Sequence, residues 1–297
     1  MRLLTKIVRK ALLVVYGKAS IKRKIVATAN LLNIDLIELG YNNAGILNYQ
    51  DYVVSGEQYL LGNVLPLVIP AHGGVVFDIG ANVGDISMRI AKAFPDAAIW
   101  AFEPNPVTFD LLQKNLTSKM DAVHSVNAGL GAEEGQGILH CYESDQSSGH
   151  ASVYRDVFGL YKNYGIDAAD KLRTFAFDVT TIDDVCRGNG IARIDFAKID
   201  VEGHELNVLK GATELLKTGG LQALQFEFTD CNVMSRVFLR DFYAILPGFE
   251  FFRLHRDGLI NLGNYATRHE IFQFQNILAL TSSLAARLKA DGRVRFL

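Results

Sequence analysis

Acidic residues and glycines with the spacing of a nucleotide pocket occur within residues 75–104. Asp78 and Gly80 end a run of mostly apolar residues, and Gly84 begins an amphipathic segment. Glu103 ends a second apolar run. In a doubly wound sheet, glycines after the first strand let the backbone approach a ligand, and an acid after the second strand can bind ribose hydroxyls. These residues therefore predict a pocket for a ligand that contains a ribose.

The spacing of the glycines indicates which ligand this is. Gly80 and Gly84 are separated by three residues, one of which is Asn82. Dinucleotide-binding folds usually carry G-x-G-x-x-G at this point, which packs a pyrophosphate against the helix N-terminus. A ligand with a ribose and no phosphate fits the smaller glycine set better, and S-adenosylmethionine is the common one.

A second group of acids follows later in the chain. Residues 194–201 alternate as a strand would place them, and Gly203 then turns the chain into a helix with a regular apolar side. A further strand is predicted over residues 221–228. Because ligands bind at the carboxyl edge of an open α/β sheet, we expect the residues at and just after the carboxyl ends of these strands to share one site. They are Asp200, Glu202, His204, Glu227 and Asp230.

The elements that position these residues alternate between strand and helix from Gly74 onward, which predicts a mostly parallel sheet covered on both faces. Asn105 is a plausible N-cap, and Pro106 suits the first turn of the helix that follows it. The alternation lapses over residues 135–177, where only residues 137–142 read as a strand. Strands are expected over 75–79, 98–102 and 122–127, with helices over 85–94 and 106–116. Aromatic residues in the lapse either bind the substrate or pack beneath the surface; they are Tyr154, Phe158, Tyr161 and Tyr164.

Composition limits the class of protein. With 297 residues, 49% hydrophobic and 21% charged, the chain can bury a large core. The simplest division is a helical N-terminal extension over residues 1–70 and one catalytic domain over residues 71–297. A net charge of -2 gives no general attraction to nucleic acid, so nucleic acid is disfavoured as a partner.

Cysteine usage and hydropathy indicate the compartment. The three cysteines are too far apart for a C-x-x-C pair and give no disulfide framework, so we expect a reducing, cytoplasmic setting. No segment has the ~20 apolar residues that cross a bilayer, which predicts a soluble protein. Residues 1–26 carry eight Lys and Arg residues and no acid. They predict either a basic helix on an anionic membrane surface or a terminal helix docked on the domain, and they do not resemble a secretory signal.

Several segments together resemble the FkbM-type methyltransferases, a branch of the class I S-adenosylmethionine-dependent enzymes. The segments are VVFDIGANVGDIS, AFEPNP, TIDD, KIDVEGHELNVLKGA and QFEF, and the resemblance spans roughly residues 74–228. It implies a seven-stranded sheet with an antiparallel last strand, consistent with apolar runs over 249–254 and 271–280. Members O-methylate hydroxyls of sugars or secondary metabolites. Residues 1–70 and 231–297 match less well, so the identity of the acceptor does not carry over.

The resemblance also implies roles for individual residues. Glu103 would bind the ribose hydroxyls of S-adenosylmethionine. The residues implied on its methionine and ribose side are Asp78, Gly80, Asn82 and Gly84. Candidates for the adenine contact, by position only, are Pro104, Asn105 and Asn127, followed by Ala128 and Gly129.

Methyl transfer to a hydroxyl gains from a base that removes its proton, and His204 suits this task at neutral pH. His204 could equally be a first-turn helix residue that faces solvent. Asp200 or Glu227 could orient the histidine, bind the hydroxyl or hold the ammonium group of the cofactor. Glu202 is expected to cap the following helix rather than to act in catalysis. A metal on Asp200, Glu227 and Asp230 is not expected, because the spacing carries no metal signature.

Two other classes of protein compete with a methyltransferase. A nicotinamide-dependent oxidoreductase would use a similar fold, but its phosphate-binding glycine pattern and a Tyr-x-x-x-Lys pair are missing. A scaffold that binds the cofactor without turnover would keep the same pocket residues. An oxidoreductase would bind NAD, whereas a methyltransferase would bind S-adenosylhomocysteine. A scaffold would bind S-adenosylhomocysteine but would not transfer a methyl group. The sequence predicts no particular oligomeric state.

Overall fold

The structure is a computed structural model that describes residues 18–116, 122–142, 151–161 and 172–297. Residues 1–17 of the predicted basic segment, the polar stretch 143–150, Tyr164 and the Tyr161 side chain lie outside this description. No helix in the described ranges combines the length and apolar character needed to span a membrane.

The described residues form two sheets flanked by helices. The strands are β1 Val75–Ile79, β2 Ala98–Phe102, β3 Val123–Val126, β4 Gly129–Leu130, β5 Gly135–Tyr142, β6 Leu172–Thr180, β7 Phe196–Ile199, β8 Ala223–Phe228, β9 Phe249–His255, β10 Gly258–Asn261 and β11 Gln275–Thr281. The α-helices are α1 Lys18–Leu31, α2 Leu36–Asn43, α3 Glu57–Tyr59, α4 Leu65–Val68, α5 Asp85–Ala93, α6 Pro106–Asn115, α7 Phe158–Tyr161, α8 Ile182–Gly188, α9 Glu205–Lys210, α10 Thr213–Lys217, α11 Cys231–Ser235, α12 Leu239–Ile245 and α13 Ser282–Asp291. A π-helical turn, Leu60–Val64, joins α3 to α4, and 3₁₀ turns cover Arg155–Val157 and Thr267–His269.

The main sheet confirms the predicted α/β class and contains one strand more than the seven expected. Its order is β10-β9-β11-β8-β7-β1-β2-β3, and the strands from β8 to β3 are parallel. The last strand, β11, lies antiparallel between β8 and β9, as the resemblance implies. The eighth strand, β10, pairs antiparallel with β9 through a tight turn at residues 256–257 and extends the edge of the sheet.

A second sheet occupies part of the region where the alternation lapses. Its order is β4-β6-β5, and β5 pairs with β6 over its whole length from Gly135 to Tyr142. Sequence reasoning found only the strand over residues 137–142 and missed β6. The Phe177 ring of β6 packs against Gly129 and Gly137, where a Cβ would lie 2.4 Å from ring carbons. These two glycines therefore make room for one aromatic side chain that also reaches the functional cavity.

Successive strand residues point to opposite faces of the main sheet, and each face has its own core. Phe77 is fully buried among residues of α9, α10 and α12 on one face. Val76 is buried on the other, where α5 and α13 pack. Leu60 and Val64, from the N-terminal part of the chain, also belong to this second core. Burying each such side chain contributes roughly 1.5–3 kcal/mol. The division of the chain at residue 70 stays a prediction.

Candidate active site

A cavity of about 590 Å³ lies at the carboxyl ends of β1, β2, β7 and β8. This is the edge where the sequence predicts the site. Of the residues predicted for the site, the cavity walls contain Gly80, Asn82, Glu103, Pro104, Asp200, His204 and Glu227, together with Ala128, Gly129, Glu202 and Asp230.

The turn after β1 is shaped by close packing against β7. Gly80 has φ +83°, and a Cβ at this position would lie 1.8 Å from the carbonyl oxygen of Asp200. Its N–H donates to the Phe102 carbonyl at 3.0 Å, which ties the turn to β2. Asn82 also has a left-handed backbone, with φ +50°. Its buried Oδ1 has no hydrogen-bond partner among the described residues, so it can accept a hydrogen bond from a ligand in the cavity.

The Glu103 carboxylate is fixed by two backbone amides. The N–H of Asn82 donates to Oε2 at 2.9 Å, and the N–H of Asn105 donates to Oε1 at 2.8 Å. Burial raises the pKa of Glu103 to about 7, against these two hydrogen bonds, which favour the carboxylate. Each carboxylate oxygen can accept a further hydrogen bond, so the group can take two donors from a ligand in the cavity; that these are ribose hydroxyls stays a prediction.

The other four predicted cofactor residues do not line the cavity. Asp78 is buried beneath it and accepts a hydrogen bond from the Ser87 hydroxyl at 2.6 Å. Gly84 begins α5 with φ +92°, where a Cβ would lie 2.5 Å from Leu112. Direct contact of these four residues with the cofactor stays a prediction.

Asn105 and Asn127 hold the segment that follows β2. The Asn105 side chain accepts from the N–H of Val107 at 3.0 Å and so caps α6, as predicted. The Asn127 amide donates to the Glu103 carbonyl at 2.8 Å. Both residues therefore fix the backbone around Glu103.

A buried lysine that the sequence analysis missed lies under the acids of β7 and β8. Lys198 is 5% exposed, and its ammonium group donates to Asp200 at 2.6 Å. Although burial lowers its pKa, the nearby Asp200 and Glu57 carboxylates raise it above the usual range. The signal was a lysine within a strand buried on both faces, where a charge must be paired.

Glu227 lies beside this ion pair and lines the cavity. Burial, together with the charge of Asp200, raises its pKa well above the ordinary range of a glutamate. Its carboxylate makes no hydrogen bond to another described residue, so both oxygens are available to a ligand.

His204 also lines the cavity and is half-buried. Its Nδ1 lies 3.2 Å from the Tyr154 hydroxyl and 3.2 Å from Nδ2 of Asn207. Burial, with a smaller effect of Lys210, lowers the pKa of His204 to about 4, so the ring is neutral at pH 7.

The turn before α9 differs from the expectation that Glu202 would cap this helix. The N-cap residue is His204, and its side chain makes no capping hydrogen bond. Glu205, the first residue of α9, holds the preceding turn, since its Oε1 accepts hydrogen bonds from the N–H groups of Val201 and Gly203 at 3.3 and 3.0 Å. Glu202, with φ +52°, lines the cavity and accepts a hydrogen bond from the Cys231 thiol at 3.3 Å.

One wall of the cavity comes from parts of the chain far from the recognised motifs. Leu47 and Tyr49 of the N-terminal region line it together with Phe274, which precedes β11. The N–H of Leu47 donates to the Phe274 carbonyl at 2.8 Å, and the Tyr49 and Phe274 rings meet edge to face at 6.0 Å. Sequence reasoning had no signal for this wall, because its parts meet only in the folded chain.

Within the described residues, no group of three or more His, Cys, Asp or Glu side chains has a geometry that could hold a metal ion.

The strand order, with antiparallel β11 beside five parallel strands, and the Gly80 and Glu103 turns at their carboxyl edge define a class I methyltransferase fold. A family model described as "Methyltransferase FkbM domain" matches residues 78–245. This match covers more than half of the chain, which therefore belongs to the FkbM methyltransferase family.

Three curated relatives match the chain over 47–48% of its length. Methyltransferase sdnD of Sordaria araneosa is 33% identical over 157 residues, and 31-O-demethyl-FK506 methyltransferase FkbM of Streptomyces tacrolimicus is 30% identical over 157 residues. Hexuronic acid methyltransferase AglP of Haloferax volcanii is 28% identical over 144 residues. The matched parts span 60%, 60% and 52% of these three relatives.

S-adenosylmethionine is the cofactor of this family, and the residues of the cavity fit it. Glu103 has carboxylate oxygens that can accept from the hydroxyls of a ribose, and Gly80 and Asn82 bring the turn after β1 to the wall of the same cavity. The acids that line the cavity outnumber its cations, which suits a ligand that carries a sulfonium and an ammonium group. They are Glu103, Asp200, Glu202, Glu227 and Asp230.

Proposed function

We propose that this protein transfers a methyl group from S-adenosylmethionine to a hydroxyl oxygen of a saccharide or another small molecule. One observation carries the proposal: Glu103 shares a single cavity with Glu227 and His204, so a ribose-binding carboxylate and groups able to contact an acceptor meet in one place. The names of two relatives support it in outline, since one refers to a 31-O-demethyl compound and the other to a hexuronic acid.

The bound cofactor supplies an activated methyl group, so the protein has to align the acceptor oxygen behind the methyl carbon and exclude water. Holding two reactants at ~3 Å in the right orientation can supply several kcal/mol of the barrier. Apolar walls on both sides of the cavity suit this task; Leu130, Leu139 and Phe177 form part of one, and Leu47 and Phe274 part of another.

We assign Glu227 as the base that accepts the hydroxyl proton of the acceptor. As the oxygen–carbon bond forms and the sulfur–carbon bond breaks, the hydroxyl proton passes to the Glu227 carboxylate. A carboxylate whose pKa is raised by burial and by the charge of Asp200 is a stronger base than an exposed one. Lys198 holds Asp200 in place beside it through a contact of 2.6 Å.

Two measurements test this function. Calorimetric titration with S-adenosylhomocysteine, with NAD as the comparison ligand, should show micromolar binding of the former alone. Transfer of isotope-labelled methyl from S-adenosylmethionine to a panel of monosaccharides, uronic acids and polyols should then yield an O-methyl product, identified by NMR. Binding of NAD, or of neither ligand, would contradict the proposal, and methyl transfer to nitrogen or carbon would contradict the O-methylation.

The Glu227→Gln variant tests the base. It should bind S-adenosylhomocysteine as tightly as the wild type and lose about 10²- to 10⁴-fold in kcat, the range for a lost general base. Glu214→Gln, on an exposed helix position, is the matched control and should keep full activity.

A further inference from the structure

The Nδ1 atom of His204 lies in a polar network that the ring forms with the side chains of Tyr154 and Asn207. The Tyr154 hydroxyl and Nδ2 of Asn207 each lie 3.2 Å from it, and Asn207 Nδ2 also donates to the Tyr154 oxygen at 3.3 Å. The Tyr154 and His204 rings are 5.8 Å apart and tilted by 49°. These contacts come from the segment before α7 and from α9, so they hold the ring from two directions.

Lys210 decides which way the Asn207 amide faces. Its Nζ donates to Oδ1 of Asn207 at 3.0 Å. An ammonium group can only donate, so the atom that meets it must be the amide oxygen. The amide nitrogen is then the atom that faces His204, and an amide nitrogen can only donate.

The orientation of the Asn207 amide determines which nitrogen of the His204 ring is protonated. Because Asn207 presents N–H to Nδ1, that nitrogen carries a lone pair and accepts. A neutral imidazole has one proton, which must then lie on Nε2. Nε2 makes no hydrogen bond to another described residue, although the ring lines the cavity. The ring therefore offers the cavity a donor and has no lone pair to offer there.

We propose that His204 binds an oxygen of the acceptor as an Nε2–H donor and keeps its proton throughout the reaction, so that it is not the base. Asn207, Tyr154 and Lys210 are positioning residues that set its tautomer. This inference rests on the proposed methyl transfer for the identity of the ligand, whereas the tautomer is a property of the protein alone. It also favours acceptors with an oxygen near the reacting hydroxyl, as in a sugar.

The tautomer is measured without turnover. Long-range ¹H–¹⁵N NMR of protein labelled at the histidine ring nitrogens, at pH 7, should show His204 with Nε2 protonated and Nδ1 bare, the signal being assigned by its loss in His204→Gln. Asn207→Asp replaces the donor with a carboxylate, which accepts from Nδ1–H, so the proton should move to Nδ1. Asn207→Leu removes the donor and adds no acceptor, so Nε2–H should persist. Wild-type protein with Nδ1–H would overturn the proposal.

Substitution of His204 itself separates a donor from a base. Glutamine retains an N–H donor and leucine does not. We expect kcat/KM to fall about threefold or less in His204→Gln and about tenfold in His204→Leu, the effect of one neutral hydrogen bond. A loss of about 10²-fold or more in both variants would identify a base and overturn the proposal.

Binding of S-adenosylhomocysteine distinguishes a failure of the proposed function from a failure of the proposed tautomer. Unchanged affinity in all four variants shows that the cofactor site is folded. If the wild-type protein fails to bind S-adenosylhomocysteine, the proposed function fails while the NMR result still decides the tautomer. Asn189→Asp, on the exposed end of α8, is the matched control for the Asn207→Asp charge change and should leave the His204 signals unchanged.

Discussion

Gly80 packs directly against the backbone of Asp200: a Cβ on Gly80 would lie 1.8 Å from the Asp200 carbonyl oxygen. No side-chain adjustment relieves such a contact, because the atom it meets belongs to the backbone at the end of β7. The turn after β1 can therefore pack against Asp200 only because Gly80 has no side chain. Gly80 and Asp200 both line the cavity.

Gly80→Ala should disrupt this junction. The left-handed backbone alone costs roughly 1–2 kcal/mol for an alanine, and the clash adds to it. We expect a lower melting temperature and a weaker affinity for S-adenosylhomocysteine, measured by thermal unfolding and calorimetry. Gly190→Ala is the matched control, since Gly190 has φ +66° with nothing within 4 Å of a Cβ. A Gly80→Ala protein as stable as Gly190→Ala would contradict the proposed contact.

Glu103 should make stability depend on pH. Its pKa is about 7 in the folded protein and near 4.5 in the unfolded chain, so the folded state holds a proton that the unfolded state releases between these values. Stability from this group is therefore fully present below pH 4.5 and is lost as pH rises through 7, by up to about 3 kcal/mol. Denaturant unfolding measures this effect. As pH rises across this range, the free energy of unfolding of the wild type should fall relative to that of Glu103→Gln, whose glutamine does not titrate.

The same carboxylate should couple cofactor binding to pH. Ribose hydroxyls donate to the ionised form, so affinity for S-adenosylhomocysteine should rise as pH increases from 6 to 8. In Glu103→Gln this slope should disappear, and affinity should fall by about 1–3 kcal/mol. An equal pH slope in both proteins would show that Glu103 does not contact the ligand.

Lys198→Met should be among the most damaging changes in the core. It leaves Asp200 and Glu227 without their buried cation, a loss that costs about 3–5 kcal/mol in comparable pairs. The loss should be greater at pH 8 than at pH 5, since burial raises the pKa of Glu227 and its carboxylate is more fully charged at the higher pH. Lys217→Met removes an exposed lysine 3.8 Å from Glu214 and should cost less than about 1 kcal/mol. Thermal unfolding at the two pH values measures both.

Cys231 should react slowly although it lines the cavity. Burial, and then the neighbouring Glu202 carboxylate, raise the pKa of its thiol, so little thiolate is present at pH 8. Glu202→Gln removes the charge and should speed alkylation by about threefold for each unit by which the pKa falls, because the larger thiolate fraction is partly offset by a weaker nucleophile. Mass spectrometry after iodoacetamide treatment measures this, with Cys186 as the internal reference whose rate should not change. Rapid alkylation of Cys231 in the wild-type protein would count against this account.

The TIDD segment, residues 181–184, stabilises the N-termini of two helices. Thr181 caps α8 by accepting from the N–H of Asp184 at 3.0 Å. The next acid, Asp183, accepts from the N–H groups of Glu214 and Leu215 at the start of α10. The first contact is local and could be inferred from the sequence, whereas the second joins residues more than thirty positions apart.

The parallel strands, the acids and glycines at their carboxyl ends, and the family could all be predicted from the sequence, because they depend on local periodicity and on motifs within short segments. The sequence predicted neither β6 nor β10, whose pairing depends on partners that the local pattern does not specify. It placed Glu103, Asp200, His204 and Glu227 at one edge of the sheet, since parallel strands bring their carboxyl ends together.

The chemistry open to those residues depends on contacts that form in the folded chain. Glu103 is held by two amides, Lys198 is paired beneath Asp200, and Nδ1 of His204 meets Asn207 and Tyr154. A side chain's pKa and its available lone pairs depend on burial and on neighbours brought from distant parts of the chain, and no local pattern carries that information. The Leu47, Tyr49 and Phe274 wall exists for the same reason.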